Sequence, residues 1–125
     1  MNEIYLAVDG DDVGHQLEYL MLINECKAIT KFSKTFQNAM SWLEDKLVND
    51  FSATIIFSGG DNLLAYLNDC PMELIEVLRI EFAERSNRTL SVGLGENPMQ
   101  AYFALKLAKT SGKNCVRQFK ELMNG

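Results

Sequence analysis

The chain has 125 residues, of which 47% are hydrophobic and 23% charged, and its formal net charge is −5. That length suits one domain over 1–125 with a core of its own, and no apolar run approaches the ~20 residues of a membrane span. The acidic balance speaks against a dedicated surface for long nucleic acid, but leaves room for a small nucleotide that brings its own divalent ion.

The chain opens on a strand-like run, Glu3 to Val8, apolar almost throughout, with no basic-then-apolar secretion pattern before it. Its three cysteines, Cys26, Cys70 and Cys115, are odd in number and far apart. They are expected to be inert, partly buried thiols in a cytoplasmic protein rather than parts of a disulfide framework or a CxxC metal site.

An acidic turn, Asp9-Gly10-Asp11-Asp12, follows the first strand, and Val13 to about Asp50 then carries helical spacing. That stretch is long for one helix, so a break is expected near Ile23 to Lys27. Ala53 to Phe57 and Leu63 to Leu67 are β-type runs around Gly59-Gly60-Asp61-Asn62, a hairpin signal. Pro71 suits a first helical position, and Leu74, Val77, Leu78, Ile80 and Phe82 carry that helix to about Arg85. Thr89 to Leu94 alternates as a strand, and Pro98 opens a helix through Ala108 that Gly112 stops. A short strand near Cys115 to Arg117 and a terminal helical turn close the chain.

The order β-α-β-β-α-β with an extra α-β predicts an α+β, ferredoxin-like palm, a split βαβ unit whose antiparallel sheet carries helices on one face. It places the first strand between the hairpin and the fourth strand, so that Asp9 lies beside the hairpin tip.

Asp9 ends a buried strand, where a lone carboxylate is unfavourable unless paired or metal-bound. Asp61 sits on the hairpin, and two strand-end carboxylates that converge can hold a divalent metal against a nucleotide. Asp11 and Asp12 are open between ligand contact and capping of the following helix. Asn62 could cap the turn or touch a ligand. Gly59 and Gly60 suit both tight backbone and the approach of a phosphate. Lys109 and Lys113, four apart around a helix exit, could point toward phosphates or form a solvated face with Lys106. His15 has no Ser or Cys partner set, and Trp42 with the helically spaced phenylalanines is expected in the core.

Phe57-Ser58-Gly59-Gly60-Asp61-Asn62 resembles the signature hairpin of GGDEF-type nucleotide cyclases and of the palm in the polymerase subunit of type III CRISPR complexes. Asp9-Gly10-Asp11 resembles their first-strand metal motif, and Ser91-Val92-Gly93 their Ser-x-Gly strand. Ala104-Leu105-x-x-Ala108-Lys109-x-x-Gly112-Lys113-Asn114-x-Val116 is similar to the C-terminal helix–turn–strand motif of GGDEF domains. As a whole the chain looks most like the stand-alone minimal CRISPR polymerase family of bacterial defence loci.

The resemblance implies that Asp9 and Asp61, with the Gly10 carbonyl, hold two Mg²⁺ or Mn²⁺ ions, and that Lys109 and Lys113 grip a triphosphate. Asp11, Asp12, Gly14, Gly59, Gly60 and Asn62 complete the expected nucleotide-binding set. Ungapped counting puts Gly14 and Leu17 where diguanylate cyclases carry a lysine and a guanine-reading asparagine, which favours ATP. The implied activity is synthesis of a cyclic oligoadenylate or cyclic di-AMP-type messenger with release of pyrophosphate, in anti-phage defence. Each site holds one donor, so ring closure implies a homodimer or higher oligomer. The alternatives are a nucleotide hydrolase resembling GTP cyclohydrolase III, and a palm that binds nucleotide without turnover.

Overall fold

In the computed structural model, residues 3–69 and 71–123 are described. The apolar run at the start forms β1 (Glu3–Gly10), and the acidic turn leads into α1 (Val13–Leu22). The expected break follows. Asn24 takes a left-handed conformation (φ 59°), and the Glu25 amide donates to the Leu20 carbonyl, closing α1 before α2 (Cys26–Phe51) begins. Asn tolerates that region better than most side-chain-bearing residues, so no glycine is needed. The hairpin is β2 (Thr54–Ser58) and β3 (Asn62–Asn68); α3 (Met72–Ser86), β4 (Leu90–Gly95), α4 (Pro98–Thr110), β5 (Val116–Gln118) and α5 (Lys120–Met123) follow.

The strands form one sheet in the order β2-β3-β1-β4-β5. The first three contacts are antiparallel and β5 joins β4 in parallel. The α+β palm is therefore the fold of this chain, with β1 central, as its apolar run and the order of elements predict. Register fixes which residues share a face. Val8 pairs with Leu63 and Val92, and Leu6 with Ala65 and Leu94. These are buried with Phe36, Met40, Leu43 and Leu47 of α2 and Ile75, Leu78 and Phe82 of α3, forming the main core.

The opposite face is where expectation and structure part, because it carries a helix as well. Asp9, Ala7, Ser91 and Gly93 point that way by period-2 alternation. There α4 lies so close on β4 that a Cβ on Gly93 would stand 2.2 Å from the Leu105 amide nitrogen and 2.3 Å from the Ala101 carbonyl. Ala101, Ala104 and Ala108 are fully buried in that contact. Small residues on both elements let backbone meet backbone, which brings the C-terminal end of α4 over the end of β1. Trp42 is only half-buried and lies under the Arg85 guanidinium, 4.5 Å from the ring centroid. Cys26 is exposed rather than partly buried, Cys115 is half-buried, and Cys70 lies outside the described residues.

Candidate functional site

The end of β1 is where strand, hairpin and α4 meet. Asp9 pairs with Asn62 on one side and Ser91 on the other, and the Gly10 amide donates to the Asp61 carbonyl at 2.8 Å. The hairpin tip is thus docked by its backbone onto the strand that carries Asp9. Two contacts from α2 hold the same hairpin: Gln37 Nε2 donates to the Gly60 carbonyl at 3.2 Å, and Ser58 Oγ to Glu44 Oε2 at 2.9 Å. Gly59 and Gly60 do not take the left-handed backbone that usually calls for glycine. A Cβ on Gly59 would meet the Asn62 side-chain oxygen, so a larger residue there would require Asn62 to swing aside. Asn62 folds back over its own turn.

Asp11 lies deeper. Its side chain is 3% exposed and accepts from Ser91 Oγ (2.6 Å), Thr89 Oγ1 (2.7 Å), the Asn114 amide (2.9 Å) and Lys109 Nζ (2.8 Å). Both carboxylate oxygens are occupied by protein donors. Asp11, expected in the nucleotide-binding set, turns its carboxylate inward here and organises its neighbours. Asp12 does not cap α1 either. It is left-handed (φ 57°) and makes no side-chain cap bond, pairing instead with Lys113 Nζ at 2.6 Å.

Lys109 is the cation at the centre. From the last turn of α4 its ammonium reaches Asp11 Oδ1 (2.8 Å), Asp9 Oδ2 (2.9 Å) and the Gly10 carbonyl (3.1 Å). Burial works against its charge, but the hydrogen bonds to Asp11 and Asp9 prevail and hold it above the usual lysine value. Burial would likewise raise Asp11, yet the bonds from Lys109, Ser91, Thr89 and the Asn114 amide hold it below the ordinary carboxylate range. Asp9 goes the other way. Burial pushes it up, Lys109 only partly offsets this, and the charges of Asp61 and Asp11 add to the rise.

Lys113 belongs to a strained turn. Gly112 (φ 111°), Lys113 (φ 62°) and Asn114 (φ 49°) are consecutive and all left-handed. A lysine there is disfavoured by ~1–2 kcal/mol, so contacts must fix it. The Lys113 amide donates to the Ala108 carbonyl, the Asn114 amide to Asp11, and Arg79 to Asn114 Oδ1. Among the described residues no group of three His, Cys, Asp or Glu side chains is arranged to hold a metal ion. What converges is one carboxylate, Asp9, and one carbonyl, Gly10, already bridged by a single cation, with Asp61 on the adjoining tip.

A family model described as the minimal CRISPR polymerase domain matches residues 5–119. The chain belongs to this family. The fold is also that of a Csm1–Csm4 cassette solved with one ATP (20% identity, TM-score 0.68, 92% of this chain and 20% of that one). The GGDEF domain of DgcB from Caulobacter crescentus, in complex with c-di-GMP, matches at 17% identity and a TM-score of 0.64, over 94% of this chain and 78% of that one. An active GGEEF domain of a Vibrio cholerae diguanylate cyclase gives 15% and 0.64, over 94% and 83%. No curated protein matches. Membership and fold together make this minimal CRISPR polymerase domain a nucleotide-cyclase-like palm.

Within that palm, Asp9, Gly10, Asp61, Asn62, Lys109 and Lys113 gather where β1, the hairpin and α4 meet. Gly14 is exposed in the first turn of α1 with nothing within 4 Å of where a Cβ would stand. His15 is exposed. Sequence reasoning assigned no role to Thr89, Asn114, Gln37 or Glu44. Thr89 and Ser91, two apart in extended chain, put their hydroxyls on one face, and that spacing was the available signal for a buried acceptor. Gln37 and Glu44, seven apart on one helix, carried no signal separable from ordinary surface polarity.

Proposed function

We propose that this palm is a metal-dependent nucleotidyltransferase that joins ATP molecules into a cyclic oligoadenylate, most simply a cyclic dinucleotide, in bacterial anti-phage defence. The observation that carries this reading is the junction itself. Asp9 and the Gly10 carbonyl share one cation contact, the Asp61 tip is docked beside them, and two lysines enter from the end of α4. The donor set is of the right chemistry for Mg²⁺ or Mn²⁺, which take carboxylate and carbonyl oxygens and keep several waters. Asp9, Gly10 and Asp61 are the residues to hold two such ions. Held by these residues, such ions would supply Lewis-acid chemistry, acidifying a ribose hydroxyl and offsetting charge on the α-phosphate and the departing pyrophosphate.

The chain's own groups do the rest. Lys109 and Lys113 neutralise the β- and γ-phosphates; Asp11 holds the Lys109 ammonium directly and, through the Asn114 amide, the turn that carries Lys113. Gly14, exposed in the first turn of α1, carries no side chain that could read guanine, which is in keeping with ATP. No protein nucleophile is required. Each palm presents one such junction, so a ring needs a second nucleotide from a second protomer, and the working unit is a homodimer or larger.

Incubation with each nucleoside triphosphate and Mg²⁺ or Mn²⁺, followed by mass spectrometry, tests the reading. Cyclic adenylate and pyrophosphate are expected from ATP. Ring-opened GTP would identify a hydrolase instead, and binding without turnover a sensor.

A further inference from the structure

Lys109 is expected to hold phosphate, yet its ammonium lies on two of the atoms assigned to the metal. Its nitrogen lies 2.9 Å from Asp9 Oδ2 and 3.1 Å from the Gly10 carbonyl. A divalent ion of the magnesium type sits ~2.1 Å from its oxygens. A divalent ion on the same pair of oxygens would stand within ~4 Å of the ammonium, so the two compete for the lone pairs and the ammonium's repulsion weakens the ion's binding unless Lys109 moves aside.

We propose that Lys109 is a built-in counter-cation that competes with the divalent ion for Asp9 and the Gly10 carbonyl, and that Asp11 is the positioning residue that keeps it beside the site when the ion takes its place. This rests on the metal assignment made above and adds an order of events to it. Among the described residues, Lys109 pairs with Asp9 and Asp11 and Lys113 with Asp12, while Asp61 and Asp11 repel Asp9, so the Lys109 ammonium holds repelling carboxylates together. Asp11 Oδ1, 2.8 Å from Nζ, belongs to a carboxylate fixed by three further donors and not needed for the metal. When the ion arrives, Lys109 gives up Asp9 and Gly10, pivots on Asp11, and turns toward the phosphates that accompany the metal. Free metal therefore binds weakly, and metal carried on a triphosphate binds well, because only the second offers the displaced ammonium a new partner.

The test is titration with Mn²⁺ alone, read as loss of the free-ion electron paramagnetic resonance signal, on wild-type protein and Lys109→Met. Removing a unit charge at this range is expected to tighten Mn²⁺ binding by about tenfold or more. The same substitution should weaken binding of ATP in the presence of Mn²⁺. A second measurement uses only the wild type, in case Lys109→Met fails to fold. Reductive methylation of Lys109 with formaldehyde, followed by mass spectrometry, should accelerate when Mg²⁺ is saturating. A folded Lys109→Met that binds Mn²⁺ no tighter, or methylation indifferent to Mg²⁺, overturns the exchange while leaving the metal site standing. No Mn²⁺ bound by either wild type or a folded Lys109→Met, or Lys109→Met binding unchanged by adding Asp61→Ala, overturns the metal assignment and the exchange with it.

Discussion

The junction has an inner part around Asp11, its floor, and an outer part around Asp9 and the Asp61 tip, its mouth; Asp9 and Asp11 stand two residues apart at the same strand end, with opposite provisions for charge. At the floor a buried carboxylate receives four hydrogen bonds and is held below its ordinary pKa. At the mouth Asp9 has one cationic partner, two acidic neighbours and a raised pKa. The floor is complete as it stands, whereas the mouth carries charge that the protein leaves only partly balanced. Such imbalance is what a site for an added cation requires, and it separates a structural carboxylate from a ligand where the sequence offers an acidic cluster of equals.

Removing either carboxylate at the mouth gives the largest effect expected. Asp9→Ala and Asp61→Ala should bring cyclic product to background while circular dichroism and the melting transition stay native. Product at wild-type level from either variant would break the division between floor and mouth. A similarly severe effect is expected where α4 meets β4, for a different reason. In Gly93→Ala the added Cβ would meet backbone atoms 2.2 and 2.3 Å away, which cannot rotate aside. The helix must lift, with about 3 kcal/mol or more of stability lost. Product should fall with it, since Lys109 rides on that helix.

The floor is tested by Asp11→Asn, which keeps the shape and removes the charge. Leaving Lys109 and three donors facing a neutral group should lower stability by about 3 kcal/mol, or on the order of 10 °C in melting temperature. The sign with pH follows from the shifts. Asp11 has a depressed pKa in the folded state, so its stabilisation is present above the ordinary carboxylate value of 3.8 and is lost as pH falls through the depressed value. Asp9 has a raised one, so its favourable contribution is present below 3.8 and is lost as pH rises through the folded value. At neutral pH the Asp9 charge opposes folding. Asp9→Asn should therefore melt slightly higher than wild type in metal-free buffer while Asp11→Asn melts well below it. Parallel changes in calorimetry would show that the two carboxylates are not differently provided for.

The strand order and the meeting of Asp9 with the hairpin are legible in the sequence because both follow from local signals. Alternation marks the strands, Gly-Gly-Asp-Asn marks the turn, and the β-α-β-β order then leaves few topologies. The fates of the three acids after β1 are not legible in that way. Asp12 has a good N-cap residue's side chain, but its carboxylate is taken by Lys113, 101 positions away, and its backbone is left-handed. Asp11 is decided by Thr89, Ser91, Lys109 and Asn114, all at least 78 positions distant. Helical and strand periods carry no record of such pairings. The helix on the second face was hidden for a related reason: Gly93 and three alanines on α4 read as weak strand and ordinary helix until they are placed against each other.

The smallest effect expected lies at the outer edge of the mouth, where the hairpin tip leans on α2. Gln37 Nε2 donates to the Gly60 carbonyl at 3.2 Å in an exposed setting, so water can replace the bond in Gln37→Ala, and stability should change by no more than about 0.5 kcal/mol. Its consequence for turnover should be larger than that for folding. Gly60 adjoins Asp61, and small displacements of a reacting group from its productive geometry lower rate steeply even when binding survives. Gln37→Ala should therefore reduce the rate of product formation several-fold at saturating ATP with an unchanged melting temperature. Glu44→Gln, which keeps an acceptor for Ser58 one strand residue before the turn, should do less. If both variants run at wild-type rate, the docking of the Gly10 amide on the Asp61 carbonyl is enough to place the tip, and α2 serves the core alone.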